Sequence, residues 1–421
     1  MSGLRFCMVT TFYPPYNFGG DGMGVLRLSQ ALVRRGHHVT VLQDIDAHGM
    51  LHRGTPPLPG PASDGVEVVR LSSRLPALSV LLTQQTGRPV LHRRTIRNLM
   101  QAGEFDVINF HNISLTGGPG VLSVGRAVKL YMAHEHWLVC PSHVLWRHQR
   151  EACTGRECLR CVLSYRRPPQ LWRYTGYLNR QLRHVDRFIA MSEFSRGKHR
   201  EFGFPRDMEV VNYFLPDEPP AAASPDEKAV NGRPYFLYVG RLERIKGLDD
   251  VIPIFGRYPD ADLLIAGDGE HAVRLKTLAR GIPNVRFLGR LAPEELNRYY
   301  RQSVALIVPT VGFETFGIIL IEAFRQATPV LARRIGPFPE IVERCGGGML
   351  FGDSGELLQA MTRMQNDRAL RNGLARAARR GFEEHWTESA VIPRYLDVVR
   401  QAARARGRPD IVETLDTEGQ T

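Results

Sequence analysis

Glu314 and Glu322 stand eight positions apart in the stretch Pro309-Thr310-Val311-Gly312-Phe313-Glu314-Thr315-Phe316-Gly317-Ile318-Ile319-Leu320-Ile321-Glu322-Ala323. A Phe-Gly turn lies between them, just after an apolar run, Val304–Val308, that reads as a buried strand. A helical pattern is expected from Glu322 onward. The turn would then leave the backbone N–H groups around Phe316, Gly317 and Ile318 open toward an anion. Carboxylates on either side can hold polyols through charge-assisted hydrogen bonds. Such a pocket suits a nucleotide sugar, with a diphosphate at the helix end and hydroxyls on the two acids.

Other residues could share that chemistry. Arg241 and Lys246 follow the apolar run Tyr235–Val239, and fixed cations there would stabilise charge building on a departing diphosphate. His111 and His134 each follow a strand-like run, and strand C-termini are where open α/β sheets place ligands. Gly19-Gly20 sits in the first strand-to-helix loop, where glycine lets the backbone approach a phosphate or sugar. The full dinucleotide glycine pattern is missing, so a nicotinamide cofactor is not indicated.

These segments resemble, in order, the signatures of retaining glycosyltransferases of family 4 with the two-domain GT-B fold. The E-x7-E element carries the likeness most strongly. Val239-Gly240-Arg241-Leu242 with Lys246-Gly247 is similar to that family's cationic clamp, and Ala266-Gly267-Asp268-Gly269 to its strand-end glycine turn. Gly336-Pro337-Phe338-Pro339-Glu340-Ile341-Val342 resembles a Gly-x-Pro-Glu-Ile-Val turn with one extra residue. Phe12-Tyr13-Pro14-Pro15 and Gly19-Gly20 match the first phosphate-side loop.

The resemblance implies two doubly wound Rossmann-like domains facing a central cleft. It implies a hexosyl-type transfer from a nucleotide-diphosphate sugar to an acceptor hydroxyl on a glycolipid, polysaccharide precursor or small glycoside. Glu314 would meet the donor sugar and Glu322 the ribose. His134 would reach the donor sugar and His111 would lie on the acceptor side. Gly19, Gly20, Gly240, Gly267, Phe316, Gly317 and Ile318 would contact the donor. Lys and Arg would do a metal's electrostatic task, so neither a catalytic metal nor an organic cofactor is expected. Ala327 and Tyr213 stand where the family commonly has glycine, which puts local turn geometry in question.

The elements that must position these groups can be read from alternation. Strand-like runs at Leu4–Thr10, His38–Leu42, Val66–Leu71, Val107–Phe110, Lys129–Ala133 and Arg187–Met191 alternate with helical patterns, as in a parallel sheet covered on both faces. The alternation restarts at Tyr235. The expected organisation is a first domain over 1–215, a linker over 216–234, a second domain over 235–385, a helix over 386–405 crossing back to the first domain, and a disordered tail over 406–421.

Four cysteines, Cys140, Cys153, Cys158 and Cys161, crowd an insertion at about 138–165 with spacing C-x12-C-x4-C-x2-C. In a reducing compartment this set reads as metal ligands, structural zinc first and an iron–sulfur cluster second. The insertion is expected to shape the acceptor side.

At 421 residues with 43% hydrophobic and 23% charged content, the chain is an ordinary globular protein of two-domain size. Its N-terminus enters a strand at once, which places it in the cytoplasm by expectation. The net charge of +12 is uneven: residues 1–215 hold 27 Lys+Arg against 15 Asp+Glu, the rest 28 of each. Such charge attracts anionic membrane surfaces, nucleic acid or acidic substrates without choosing among them, and equally suits a solubilising Arg-rich surface. The resemblance, in which the first domain holds the acceptor, implies an anionic acceptor or the inner face of a membrane. Two other readings fit parts of the chain: a zinc-containing nucleic-acid binder, and an epimerase or phosphorylase of the same fold. The first leaves the donor-site residues unexplained, and the second lacks its acid or cofactor-lysine features.

Overall fold

The computed structural model describes residues 3–17, 19–51, 65–217 and 229–418. They gather into two compact units, one of residues 1–143, 157–213 and 391–421, the other of 144–156 and 214–390.

The chain to Tyr213 runs β1 (Arg5–Thr10), α1 (Gly20–Arg34), β2 (His38–Asp44), α2 (Ile45–Leu51), β3 (Val66–Leu71), α3 (Pro76–Thr86), α4 (Arg93–Ala102), β4 (Val107–Phe110) and β5 (Val128–Ala133). A short hairpin, β6 (Trp146–Arg147) and β7 (Glu151–Ala152), interrupts this order. Then come α5 (Cys158–Ser164), α6 (Tyr177–Leu182), β8 (Arg187–Ala190), α7 (Glu193–Glu201) and β9 (Met208–Val210). The first unit's sheet has the order β3-β2-β1-β4-β5-β8-β9 and every pairing is parallel. Strands β4 and β5 are buried along their whole length, which is why they read as unbroken apolar runs rather than alternating ones.

The second unit holds β10 (Tyr235–Val239), α8 (Leu248–Phe255), β11 (Asp262–Ala266), α9 (Ala272–Leu278), β12 (Val285–Gly289), α10 (Pro293–Gln302) and β13 (Ala305–Val308). It continues with α11 (Ile318–Arg325), β14 (Val330–Arg333), α12 (Phe338–Cys345), β15 (Gly348–Phe351), α13 (Ser354–Asn366) and α14 (Arg368–His385). Its sheet is parallel throughout, in the order β12-β11-β10-β13-β14-β15. In both sheets the opening strand lies between the second and fourth, so strand order reverses beside it. Ligands of open α/β sheets bind outside the carboxyl ends of strands at such a reversal.

Three expectations change. The tail after Arg406 is not structureless through its described part: α16 (Pro409–Glu418) follows α15 (Glu388–Ala405), and Ile411 and Leu415 are buried. Two apolar residues one turn apart suffice to seat a polar helix that composition alone reads as tail. Helix α11 begins at Ile318, not at Glu322. The four-cysteine insertion is divided, since 144–156 packs with the second unit and its flanks with the first. Of the expected linker, residues 218–228 lie outside the described residues, as do 419–421 of the tail. From Val391 the chain packs with the first unit, where Asn109 donates to Tyr395 Oη at 3.1 Å and Arg406 pairs with Asp186 at 3.0 Å. Among the described residues no helix is long and apolar enough to cross a membrane.

Candidate active site

The second unit brings its predicted residues together at the carboxyl ends of β10, β11 and β13. These strand ends run into loops packed backbone on backbone. A Cβ on Gly267, at φ 138°, would come within 1.9 Å of the Gly240 carbonyl oxygen, and one on Gly247 within 2.1 Å of the Pro309 carbonyl oxygen. Glycine is therefore demanded by crowding as well as by backbone angle. Gly240 and Gly267 shape the floor of this corner.

Lys246, at the end of a 3-10 turn after β10, donates from Nζ to Glu314 Oε1 at 2.5 Å. Burial would raise the Glu314 carboxyl, but the Lys246 ammonium and its hydrogen bond, with Arg241 and Thr310, outweigh that and hold it below the usual carboxylate range. Glu314 is thus an ionised acceptor held in place by a cation. Arg241 pairs with Glu243 at 2.7 Å, and its side chain is about half exposed. Tyr238 Oη donates to the Arg241 carbonyl at 2.9 Å, fixing the clamp's backbone from the strand below.

Gly317, in the left-handed region at φ 116°, starts α11. Because the helix begins there, its unbonded first-turn N–H groups lie directly after Phe316-Gly317, as the anion reading requires. Leu320 already bonds back to the Gly317 carbonyl at 3.0 Å. Glu322 sits one turn along α11, where the buried Tyr300 Oη donates to its Oε2 at 3.3 Å. The hairpin contributes here too: a Cβ on Gly312 would meet Ile245 Cδ1 at 2.4 Å and Trp146 Cε3 at 3.3 Å, so Trp146 lies against the Glu314 loop.

In the first unit, His111 and His134 sit at the ends of β4 and β5 with Nδ1 and Nε2 2.8 Å apart. The other ring nitrogen of His134 makes a short bond to Tyr213 Oη, and that of His111 lies 3.5 Å from the Met8 sulfur. Burial pushes His134 down to about 3 and His111 well below the ordinary imidazole range, the latter helped by His134. Both rings are therefore neutral near pH 7, in a chain whose far end is Tyr213. Tyr213 also backs α1, because a Cβ on Gly24 would come within 2.4 Å of its ring. Sequence reasoning noticed Tyr213 only as a departure from glycine. Its hydroxyl reaching His134 is what tertiary structure adds. Gly19 precedes α1 and Gly20 opens it, with Asn17 bracing the turn through bonds of 2.7 and 3.2 Å to Gly19.

Cys140, Cys158 and Cys161 belong to the first unit and Cys153 to the second, and none of the six cysteines is in a disulfide. Arg173 draws the first-unit thiols into one electrostatic setting. It is buried between Trp137 and Trp172, at 5.1 and 4.8 Å from their ring centres, and donates to Gln170 and the Trp137 carbonyl. Burial lowers Arg173 to about 10, while Cys140 and Cys158 act in the opposite sense.

One group that the sequence did not flag could also hold a metal: ligand atoms of Asp44, Asp46 and His92, all buried, lie within 4.8 Å of one another. Their present bonds are structural. Asp46 pairs with His92 at 3.1 Å and accepts from Ser73 N–H, and Asp44 caps the first turn of α2. Burial, with Asp46 adding to it, lifts Asp44 to about 6 despite His92 and the capping bonds.

Two parallel-sheet α/β units with these loops are the architecture of GT-B glycosyltransferases. Residues 222–381 match the family described as Glycosyl transferases group 1, and residues 18–216 the one described as Glycosyltransferase Family 4. The chain belongs to the family-4 glycosyltransferases. Glycogen synthase of Mycobacterium tuberculosis is 28% identical across 97% of this chain and 99% of that protein. Sulfoquinovosyl transferase of Arabidopsis thaliana is 30% identical over 36% of this chain, a match spanning 31% of that protein. Among solved structures, sucrose-phosphate synthase from Thermosynechococcus elongatus superposes with a TM-score of 0.74 at 19% identity, covering 96% of this chain and all of the other. HepE of Anabaena in complex with UDP-glucose gives 0.64 at 17%, covering 98% and 100%. These structural likenesses carry the fold.

Proposed function

We propose that this glycosyltransferase moves a hexosyl group from a nucleotide-diphosphate sugar to an acceptor hydroxyl, with retention at the anomeric carbon. The observation that supports this most is the Lys246–Glu314 pair at 2.5 Å beside the start of α11. A part-buried carboxylate kept ionised by an ammonium, next to open helix N–H groups, is a site built for polyol and phosphate together. Glu314 would accept from donor-sugar hydroxyls and Glu322 from ribose hydroxyls. The N–H groups after Gly317 would hold phosphate oxygens.

When the bond from the anomeric carbon to the β-phosphate oxygen breaks, negative charge builds on the leaving diphosphate. Lys246 and Arg241 would stabilise that charge more in the transition state than before it, which is what lowers the barrier. Retention requires the acceptor oxygen to enter from the face the phosphate leaves, with its proton passing to a phosphate oxygen. The resemblance gives His134 a bond to the donor sugar. Here one of its ring nitrogens is engaged by His111 and the other by Tyr213, so such a bond would have to replace one of these. NMR spectroscopy of the first-formed product, with donor hydrolysis or a glycoside acceptor, tests this. The product anomer should match the donor's. An inverted anomer would overturn the retaining reading.

The spacing of the four cysteines supports a structural zinc, with Arg173 offsetting the negative charge of a thiolate set. Among the described residues, Cys140, Cys158 and Cys161 do not themselves form a group with ligand atoms within 4.8 Å of one another. Purified protein is expected to carry about one zinc per chain by elemental analysis, following the four-ligand rule. Cys158→Ser should lose that zinc and several degrees of Tm. Full stability without zinc would contradict the assignment, and iron in its place would mark a cluster instead.

A further inference from the structure

We propose that α3, α5 and the turn at 166–174 form one surface by which the first unit docks on an anionic lipid bilayer. Helix α3 is inverted for a water-soluble protein. It turns Ser79, Val80 and Thr83 inward and leaves Leu78 and Leu81 exposed at 41% and 47%. It carries no charged side chain from Pro76 to Thr86. A surface helix ordinarily buries its leucines and turns its hydroxyls outward, because apolar surface left in water forgoes the free energy of burial.

The same exposure recurs next door. On α5 and the following turn Leu159, Leu163, Leu171 and Tyr174 are exposed, at 50%, 56%, 63% and 64%. These segments are joined to α3: Gln84 Nε2 donates to the Pro168 carbonyl and Trp172 Nε1 to the Gln84 carbonyl, both at 2.9 Å. Of the twelve exposed large hydrophobic residues among those described, nine fall between Leu75 and Tyr174, and one in the whole second unit.

Charge follows the same pattern. Residues 71–103 contain five arginines and no acid, and residues 157–183 contain six arginines and one acid, Glu157. Arg93, Arg94 and Arg97 are exposed on α4, and Arg160, Arg166 and Arg167 are exposed in and after α5. Leucines that enter the acyl boundary, accompanied in the same segments by exposed arginines whose stems can follow them and whose heads can meet phosphate, are what an anionic bilayer recognises. Nucleic acid would use the arginines but leave the leucines in water. A second copy would set arginine against arginine across a two-fold axis. The surface therefore selects lipid.

The test is co-sedimentation of the full chain with phosphatidylcholine vesicles that contain or lack phosphatidylglycerol. Binding should require phosphatidylglycerol and weaken steeply with salt. The double variant Leu78→Gln/Leu81→Gln should bind at least about tenfold more weakly. Both leucines are exposed, so circular dichroism should be unchanged. Nucleotide-sugar hydrolysis in vesicle-free solution should also be unchanged, which keeps this inference separate from the donor reading. No binding, equal binding to neutral vesicles, or an unaffected variant would overturn it. So would a concentration-dependent dimer that the variant dissolves without any vesicle binding.

Discussion

Glu314→Gln is expected to lower kcat/KM for nucleotide-sugar turnover by about a thousandfold, the size of loss seen when one preorganised electrostatic group is removed. Glutamine keeps the shape but removes the charge that Lys246 now faces at 2.5 Å. It therefore weakens the contact to sugar hydroxyls and leaves an ammonium without its acid partner. Lys246→Met makes the reciprocal lesion. Glu314 then keeps the burial that raises it and loses its largest opposing influence, so its carboxyl should take up a proton at higher pH. The acid limb of the pH–rate profile should move up accordingly. For stability the sign is that of any depressed carboxylate: the native pair contributes above the unfolded value of about 4.3 and is lost as pH falls below it. Steady-state kinetics of both variants and the double variant check this. Losses under about tenfold in both single variants would remove Glu314 from the site.

The second large effect is acid lability of the first unit. His37 and His199 are held down at about 4 and His134 at about 3, while His111 and His136 lie well below the ordinary value, in each case chiefly through burial. His136 and His199 stack with ring centres 5.4 Å apart, so protonating one raises the cost for the other. In the unfolded chain these imidazoles take up protons near pH 6.5. The unfolded state then binds more protons than the native one, and stability falls as pH drops below that value. Each group costs roughly 1.4 kcal/mol per pH unit until its folded pKa is reached. All five act in the same direction, so by about pH 5 the first unit should have lost a large part of its stability. Asp44 works the other way, since its folded value of about 6 adds stability as pH falls, but it is one group against five. Near-UV circular dichroism and tryptophan fluorescence should show an acid transition centred near pH 5, from Trp137 and Trp172 in the first unit's core. A first unit intact at pH 4 would contradict this.

Much of the fold was legible because both sheets are parallel and buried. Val107–Phe110, Tyr235–Val239 and Leu248–Phe255 lie where their apolar runs put them. What was hidden lacks such a run. Strand β15 opens among Gly346, Gly347 and Gly348, which look like a turn, and β9 is only three residues long. The start of α11 was misplaced because Ile318-Ile319-Leu320-Ile321 is apolar on every side and shows no helical period. Motif spacing located the loops of the second unit, yet the pairing of Lys246 with Glu314 is a contact across 68 positions that no local pattern encodes. Tyr213 and Trp146 were missed for the same reason. Each acts by reaching a distant residue, His134 or Gly312. The inversion of α3 needed burial as well as sequence, because its leucines alone suggest an ordinary core helix.

The claim beneath the functional reading is that Glu314, Glu322 and the first N–H groups of α11 hold a nucleotide-diphosphate sugar. Thermal unfolding with a series of nucleoside monophosphates, nucleoside diphosphates and nucleotide sugars tests it most directly, since a ligand bound only by the folded form raises Tm. At least one diphosphate or its sugar should raise Tm by several degrees, the matching monophosphate should not, and Glu322→Ala should abolish the rise. A screen in which no diphosphate stabilises the protein, or in which Glu322→Ala changes nothing, would contradict the account.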